Sequence, residues 1–178
     1  TGCGERVRGG IFYLTSSGAK RTVAAGITAR KQYTGGAWVA ITGTAWTGAA
    51  TNQARFVEFP KAGTTFIIGV NGKDATIGWD GAAATDSDLG GGAPIAKAVT
   101  SCANRGIYGN VILAAVNYPA SFMYSESNDH TTTKAASLVS VGEGTGQIIA
   151  VRNLGVQSFA IYTRRGQYVA TSQGGAVP

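Results

Sequence analysis

Four times along this chain a short apolar run is followed, about a dozen residues later, by an aromatic or polar turn. Thr22-Val23-Ala24-Ala25-Gly26 leads to Tyr33-Thr34-Gly35-Gly36, and Thr65-Phe66-Ile67-Ile68-Gly69 leads to Trp79-Asp80-Gly81. Asn110-Val111-Ile112-Leu113-Ala114 then leads to Tyr124-Ser125, and Gln147-Ile148-Ile149-Ala150-Val151 to Tyr162-Thr163. The runs begin at positions 22, 65, 110 and 147, spacings of 43, 45 and 37 residues. Repeats of roughly 40 to 45 residues with several strands each are what propeller blades produce, because one small twisted sheet cannot bury its faces alone.

Strand signals run from end to end, as short β-branched or aromatic stretches punctuated by glycine. Arg8 to Leu14, Arg21 to Ala25, Thr28 to Tyr33 and Ala37 to Ile41 make a first meander over residues 6–43. A second, over 54–88, contains Asn71-Gly72, the strongest two-residue hairpin signal in the chain, since both residues tolerate positive φ. A third covers 95–127. The fourth, 132–173, takes Ala136 to Val141 as its first strand and Arg164-Arg165-Gly166 as its last hairpin. The expected fold is therefore all-β, a single domain over 1–178 whose antiparallel meanders form about four propeller-like blades, with a β-sandwich or jelly roll as the alternative.

The 178 residues are 44% apolar, enough for a core, and only 13% charged, about half the usual share. So weakly charged a chain is expected to spend much of its surface on other protein. The net charge of +6 is unevenly placed. Up to Lys73 there are nine basic residues and two acids, Glu5 and Glu58, whereas Asp74 to Glu143 holds seven acids and three bases. Basic and acidic faces of neighbouring copies can meet in this way, and non-specific DNA contact is the other use of such asymmetry. Lys and Arg do not cluster among aromatics as sequence-specific DNA readers require. No apolar run reaches the ~18 to 20 residues of a membrane span, and the chain, which opens on Thr1, shows no signal-peptide pattern. Cys3 and Cys102 fit no metal spacing and read as ordinary thiols, a bridge between them being the alternative.

The order Arg8-Gly9-Gly10-Ile11-Phe12-Tyr13, Arg21 to Gly26, Tyr33-Thr34-Gly35-Gly36-Ala37-Trp38, Phe56-Val57-Glu58-Phe59, Ile67 to Gly72, Trp79-Asp80-Gly81 and Ala96-Lys97-Ala98-Val99 resembles the β-propeller part of bacteriophage tail nozzle proteins, the tail tubular protein B type. The resemblance covers most of the chain. It implies a propeller surrounding the DNA channel of a short tail. It also implies more blades than four, so that this chain is a fragment, completes a ring with other chains, or is not built of blades.

Catalytic patterns are missing. His130 is the one histidine, which leaves no multi-histidine metal site, and its Asn128-Asp129-His130 setting reads as a solvated loop. Asp80, Asp86 and Asp88 lack the further ligands of a calcium loop and read as turn residues. Glu126 and Asp129 are a weak pair for glycoside hydrolysis. Trp38 reads as core, while Trp46, in Gly43-Thr44-Ala45-Trp46-Thr47-Gly48, reads as an exposed contact aromatic. Arg164-Arg165 at a hairpin tip can meet a phosphate or an acidic neighbour.

The expected function is that of a non-enzymatic structural protein of the virion, a tail or neck component without cofactor or metal. It would act by assembling with copies of itself and with other virion proteins. Its contact residues would be Trp46, Arg30, Lys31, Arg164 and Arg165, with Arg6 and Arg8 also facing acidic neighbours or DNA. The alternatives are a carbohydrate-binding lectin-like propeller using Trp38, Trp46 and Trp79, and a jelly-roll capsid protein.

Overall fold

A computed structural model of the chain describes residues 5–15, 17–61, 64–89, 92–130, 133 and 137–172. The described residues are all-β, with fifteen strands in four antiparallel sheets and no helix. The first sheet is the meander β1 (Gly9–Leu14), β2 (Lys20–Ala25), β3 (Arg30–Thr34) and β4 (Ala37–Ile41). The second is β5 (Arg55–Lys61), β6 (Thr64–Val70), β7 (Ile77–Trp79) and β8 (Ser87–Asp88). The third comprises β9 (Ile95–Cys102), β10 (Arg105–Leu113), β11 (Val116–Tyr124) and β12 (Val139–Ser140), and the fourth β13 (Ile148–Asn153), β14 (Ser158–Thr163) and β15 (Gln167–Thr171).

The sheets pack in sequence order because their middle strands are apolar on both faces. On β6, Ile67 joins Tyr13, Val23, Ile41 and Trp79 between the first and second sheets. Its neighbour Ile68 points the other way, onto Phe59, Val99, Tyr108 and Met123 between the second and third. Successive strand residues face opposite sides, so one strand feeds two cores. Ala98, Ile107 and Phe122 then pack on Val151, Phe159 and Ile161 between the third and fourth sheets. The first strands lie side by side, β1 by β5, β5 by β9 and β9 by β13. Glycine permits the approach: a Cβ on Gly9 would sit 1.8 Å from the Ala54 carbonyl oxygen.

A buried ion pair fastens the first sheet to the second. Arg30 Nε and Nη2 donate to Asp86 Oδ2 and Oδ1 at 2.6 and 3.1 Å, and Nη2 also reaches the Thr44 carbonyl. Beside it the 82–86 loop runs along the end of β4: Thr42 N donates to Ala84 O and Asp86 N to Thr42 O, both at 2.9 Å. Tyr13 closes the same loop with a 2.7 Å hydrogen bond from its hydroxyl to Gly81 O.

Several local expectations change. The fourth repeat of the sequence echo is displaced by one strand: Thr22–Gly26, Thr65–Gly69 and Asn110–Ala114 run through second strands, but Gln147–Val151 runs into the first strand β13. Period-two alternation is the same in either strand, so it cannot tell one from the other. The segment expected to open the fourth unit instead closes the third sheet, as Val139 pairs with Phe122 and Ser140 with Ser121. Its flanking side chains explain the placement, because Leu138 packs on the core before the third sheet and Val141 on the core after it. The two-residue turn at Gly35-Gly36 has φ of 58° and 82°, as a tight hairpin requires. Asn71-Gly72 does not form one, because the Asn71 carboxamide oxygen accepts from the backbone of Lys73 and Asp74 at 3.0 and 2.9 Å and opens the loop before β7. Cys102 is a buried free thiol, and Cys3 lies outside the described residues.

Replacing Asp86 by Ala leaves the Arg30 guanidinium buried without its counter-ion, and the expected loss is about 3–5 kcal/mol in urea denaturation. The double variant Arg30→Met, Asp86→Leu is expected to lose less than Asp86→Ala alone.

Candidate assembly surface

The first sheet has one covered face and one open face. Strand register places Phe12 opposite Thr22, Thr22 opposite Tyr33 and Tyr33 opposite Trp38, a single row crossing all four strands. Phe12 is 59% exposed, Tyr33 43% and Trp38 36%, and the Tyr33 and Trp38 rings lie 5.4 Å apart, tilted by 58°. Adjacent rows on this face add Leu14 with Lys20, and Lys31 between Ala24 and Ala40. Side chains one position along, Tyr13 and Val23 among them, point to the covered side. Lys20 and Lys31 put cations beside the aromatic row on this face, whereas Arg21, opposite Tyr13, and the buried Arg30 lie on the covered side.

The other end of the stack is open as well. On the fourth sheet Val151, Ile161 and Tyr168 form the row facing the third, whereas Arg152, Ala160 and Val169 form a row on the opposite side, where Arg152 and Val169 are exposed and Ala160 between them is buried. Among the described residues no buried cluster joins the fourth sheet to the first.

Glu5 braces the turn that leads into β3 and so sets the position of Lys31 and Tyr33. Its carboxylate accepts from the backbone N–H groups of Ile27, Thr28 and Ala29 at 3.0, 3.0 and 2.6 Å. Partial burial acts to raise its pKa, but the three backbone hydrogen bonds and the Thr28 hydroxyl together outweigh it, and the net shift is downward.

Of the residues expected to make contacts, Lys31 lies on the open face, half-buried beside Tyr33. Arg30 and Trp46 do not. Arg30 is 4% exposed and committed to Asp86, so it is not available to DNA or a neighbour. Trp46 is 2% exposed, stacked on Phe56 at 6.1 Å with the Arg30 guanidinium 4.7 Å from its ring centre. Burying that cation over an aromatic face is what draws Trp46 inward. Arg164 and Arg165 do occupy an exposed hairpin tip, but they also brace the loop before β13. With the Gln147 carboxamide oriented to accept, Arg164 donates to it at 2.8 and 2.9 Å, and Arg165 Nη1 donates to Gly144 O at 3.1 Å.

Two further expectations are corrected. His130 is fully buried, its ring 4.0 Å from that of Phe66 and 5.1 Å from that of Phe59, and its carbonyl accepts from the Tyr108 hydroxyl at 2.8 Å. Aromatic partners distant in sequence decide that burial. Trp38 sits on the open face instead of in the core, while Trp79 is buried and donates to Ala83 O at 2.8 Å. A lectin site built on Trp38, Trp46 and Trp79 therefore loses two of its three aromatics. Asp80 closes a turn by accepting from the Ala82 and Ala83 N–H groups.

Sequence reasoning missed Phe12 and Tyr33. The available signal was Ile11-Phe12-Tyr13-Leu14, four consecutive apolar residues in a strand, which supplies apolar side chains to both faces. No family model matches the chain, and neither a curated protein nor a solved structure matches it.

Because the folded pKa of Glu5 lies below its ordinary 4.5, its contribution to stability is present above that pH and is lost as pH falls through the folded value. Glu5→Gln is expected to be less stable than the parent chain at pH 7, with the difference narrowing as the pH is lowered from 7 to 3. Equal gaps at both pH values in denaturant titrations would show that the carboxylate is not engaged.

Proposed function

We propose that this chain is a non-enzymatic structural protein of a virus particle, a tail or neck component of the nozzle type, whose sheets act as blades of a propeller-like array around a DNA channel. The observation that carries the reading is the open face of the first sheet. Phe12, Tyr33 and Trp38 form an aromatic row at the end of a stack in which the second and third sheets are covered on both sides. Aromatic side chains are enriched at the contact centre of protein interfaces, and charged groups such as Lys20 and Lys31 belong to the polar rim around it. The likeness of the sequence order to tail nozzle propellers supports the particular assignment, and four meanders in sequence order suit an array of blades.

In this reading assembly is the mechanism. A neighbouring copy or another virion protein covers the aromatic row, and its acidic groups meet Lys20 and Lys31. Exposed acids such as Asp80, Asp88 and Glu143 give a second copy the complementary charge. Arg164 and Arg165 at their exposed hairpin tip are further basic residues placed to meet an acidic neighbour or a DNA phosphate without reading sequence.

The test is sedimentation velocity across a concentration series, comparing the full chain with the triple variant Phe12→Ser, Tyr33→Ser, Trp38→Ser. Hot-spot aromatics contribute about 2 kcal/mol or more each, so the variant is expected to stay monomeric where the parent chain assembles. A parent chain that remains monomeric, or a variant that assembles equally well, contradicts the proposal.

A further inference from the structure

Each of the first three sheets has a fourth strand on its outer side, whereas the fourth sheet stops at its third strand, β15. The ladder between β14 and β15 leaves one set of backbone groups open. Thr163 N donates to Gly166 O at one end of the pair and Ser172 N to Gln157 O at the other, at 2.8 and 2.7 Å. Hydrogen-bonded pairs alternate along an antiparallel ladder, so Ile161 with Tyr168 and Phe159 with Ala170 are the bonded pairs between those ends. Gln167, Val169 and Thr171 therefore turn their N–H and C=O groups away from β14, out of the edge of the sheet. Among the described residues no other backbone group meets them.

The other outer edges are protected. β8 and β12 are two residues long, and the end of β4 is closed by the 82–86 loop through Thr42. Short strands and covering loops keep a sheet edge from pairing with another chain, as do charges and proline. β15, Gln167-Tyr168-Val169-Ala170-Thr171, carries neither charge nor proline, and it alternates exposed and half-buried residues over its whole length. An edge of this kind accepts a further strand when one is supplied.

We propose that a second copy of the chain supplies it: the β15 strands of two copies pair antiparallel about a two-fold axis at Val169, and two fourth sheets become one continuous sheet. About that centre the open groups match themselves. Val169 lies opposite its counterpart and Gln167 opposite Thr171 of the second copy, so every outward donor meets an outward acceptor. Val169, 60% exposed, covers its counterpart, and Tyr168 lies opposite Ala170 of the second copy. Charge selects the direction. Arg165 precedes Val169 by four residues, so antiparallel strands hold the two Arg164-Arg165 tips roughly 26 Å apart at about 3.3 Å per residue, beyond the ~8 Å screening length. Parallel strands would set them side by side. The strip is too narrow to start assembly alone, because so few hydrogen bonds barely offset the entropy lost on association. It closes between copies that the aromatic row has already brought into one assembly, and to that extent it rests on the function proposed above.

Quenched amide hydrogen exchange, read residue by residue by NMR across a concentration series with sedimentation velocity on the same samples, tests the pairing. The amides of Gln167, Val169 and Thr171 are expected to exchange at least about tenfold more slowly in the assembled chain than in the dilute one. Those of Tyr168 and Ala170, bonded to β14 already, are protected in both. Val169→Pro removes an outward N–H without removing a bond to β14, and Val169→Lys sets two like charges face to face at the axis. Each variant is expected to assemble into smaller species than the parent chain and to return Gln167 and Thr171 to fast exchange. An assembled parent chain whose three amides exchange as fast as in the dilute protein overturns this pairing alone. So do amides equally slow at every concentration, which would place the partner strand within the chain, and variants that both assemble to the parent size. A parent chain that stays monomeric overturns the pairing together with the function on which it rests.

Discussion

Everything in this fold follows from strands that are apolar on both faces. A sheet carrying Ile67 on one side and Ile68 on the other gains only half of its burial from a single neighbour, and each fully buried aliphatic side chain is worth about 1.5–3 kcal/mol. The second and third sheets must therefore each be covered twice. Connections that join one meander directly to the next keep consecutive sheets adjacent, so the sequence order becomes the stacking order. The same rule leaves two ends. The outer face of the first sheet shows this most clearly, because Phe12, Tyr33 and Trp38 occupy positions in the pleat that would be core in an interior sheet.

Polar groups fix how the layers meet. Arg30 and Asp86 lie 56 residues apart and form a bidentate pair that is nearly inaccessible to water. Such a pair adds little over apolar residues of similar shape, but any arrangement that separates the two leaves a charge stranded in the core. Trp46 is drawn into the same arrangement and covers the cation. The junction between first and second sheets thus combines an aliphatic core with one electrostatic lock. The junctions on either side of the third sheet are built on apolar contacts, Tyr108 and Met123 on one side and Phe122 with Phe159 on the other, with neutral hydrogen bonds such as Asn110 Nδ2 to Ile148 O in place of an ion pair.

The all-β class, the meanders and the tight Gly35-Gly36 hairpin were legible in the sequence because each depends on neighbours within a few residues. What was not legible depends on partners far away. His130 resembled a loop residue until Phe59 and Phe66 closed on it, and Trp46 resembled a surface aromatic until Arg30 lay against it. Residues 139–140 resembled the start of a unit, since nothing local says that Val139 faces Phe122. Asn71-Gly72 carries the right residues for a two-residue turn, yet the Asn71 side chain competes for the backbone donors and wins. The candidate contact surface was half legible. Lys31 was identified, whereas the aromatic row appears only when register is known.

An account in which the end faces of the stack drive assembly makes Trp38 a natural reporter, because Trp46 and Trp79, the other two tryptophans, are buried already. The most direct measurement is acrylamide quenching of tryptophan fluorescence in the dilute and the assembled protein. The account predicts a quenchable tryptophan in the dilute chain that becomes protected on assembly, and it is contradicted if Trp38 stays as accessible in the assembled particle as in the free protein.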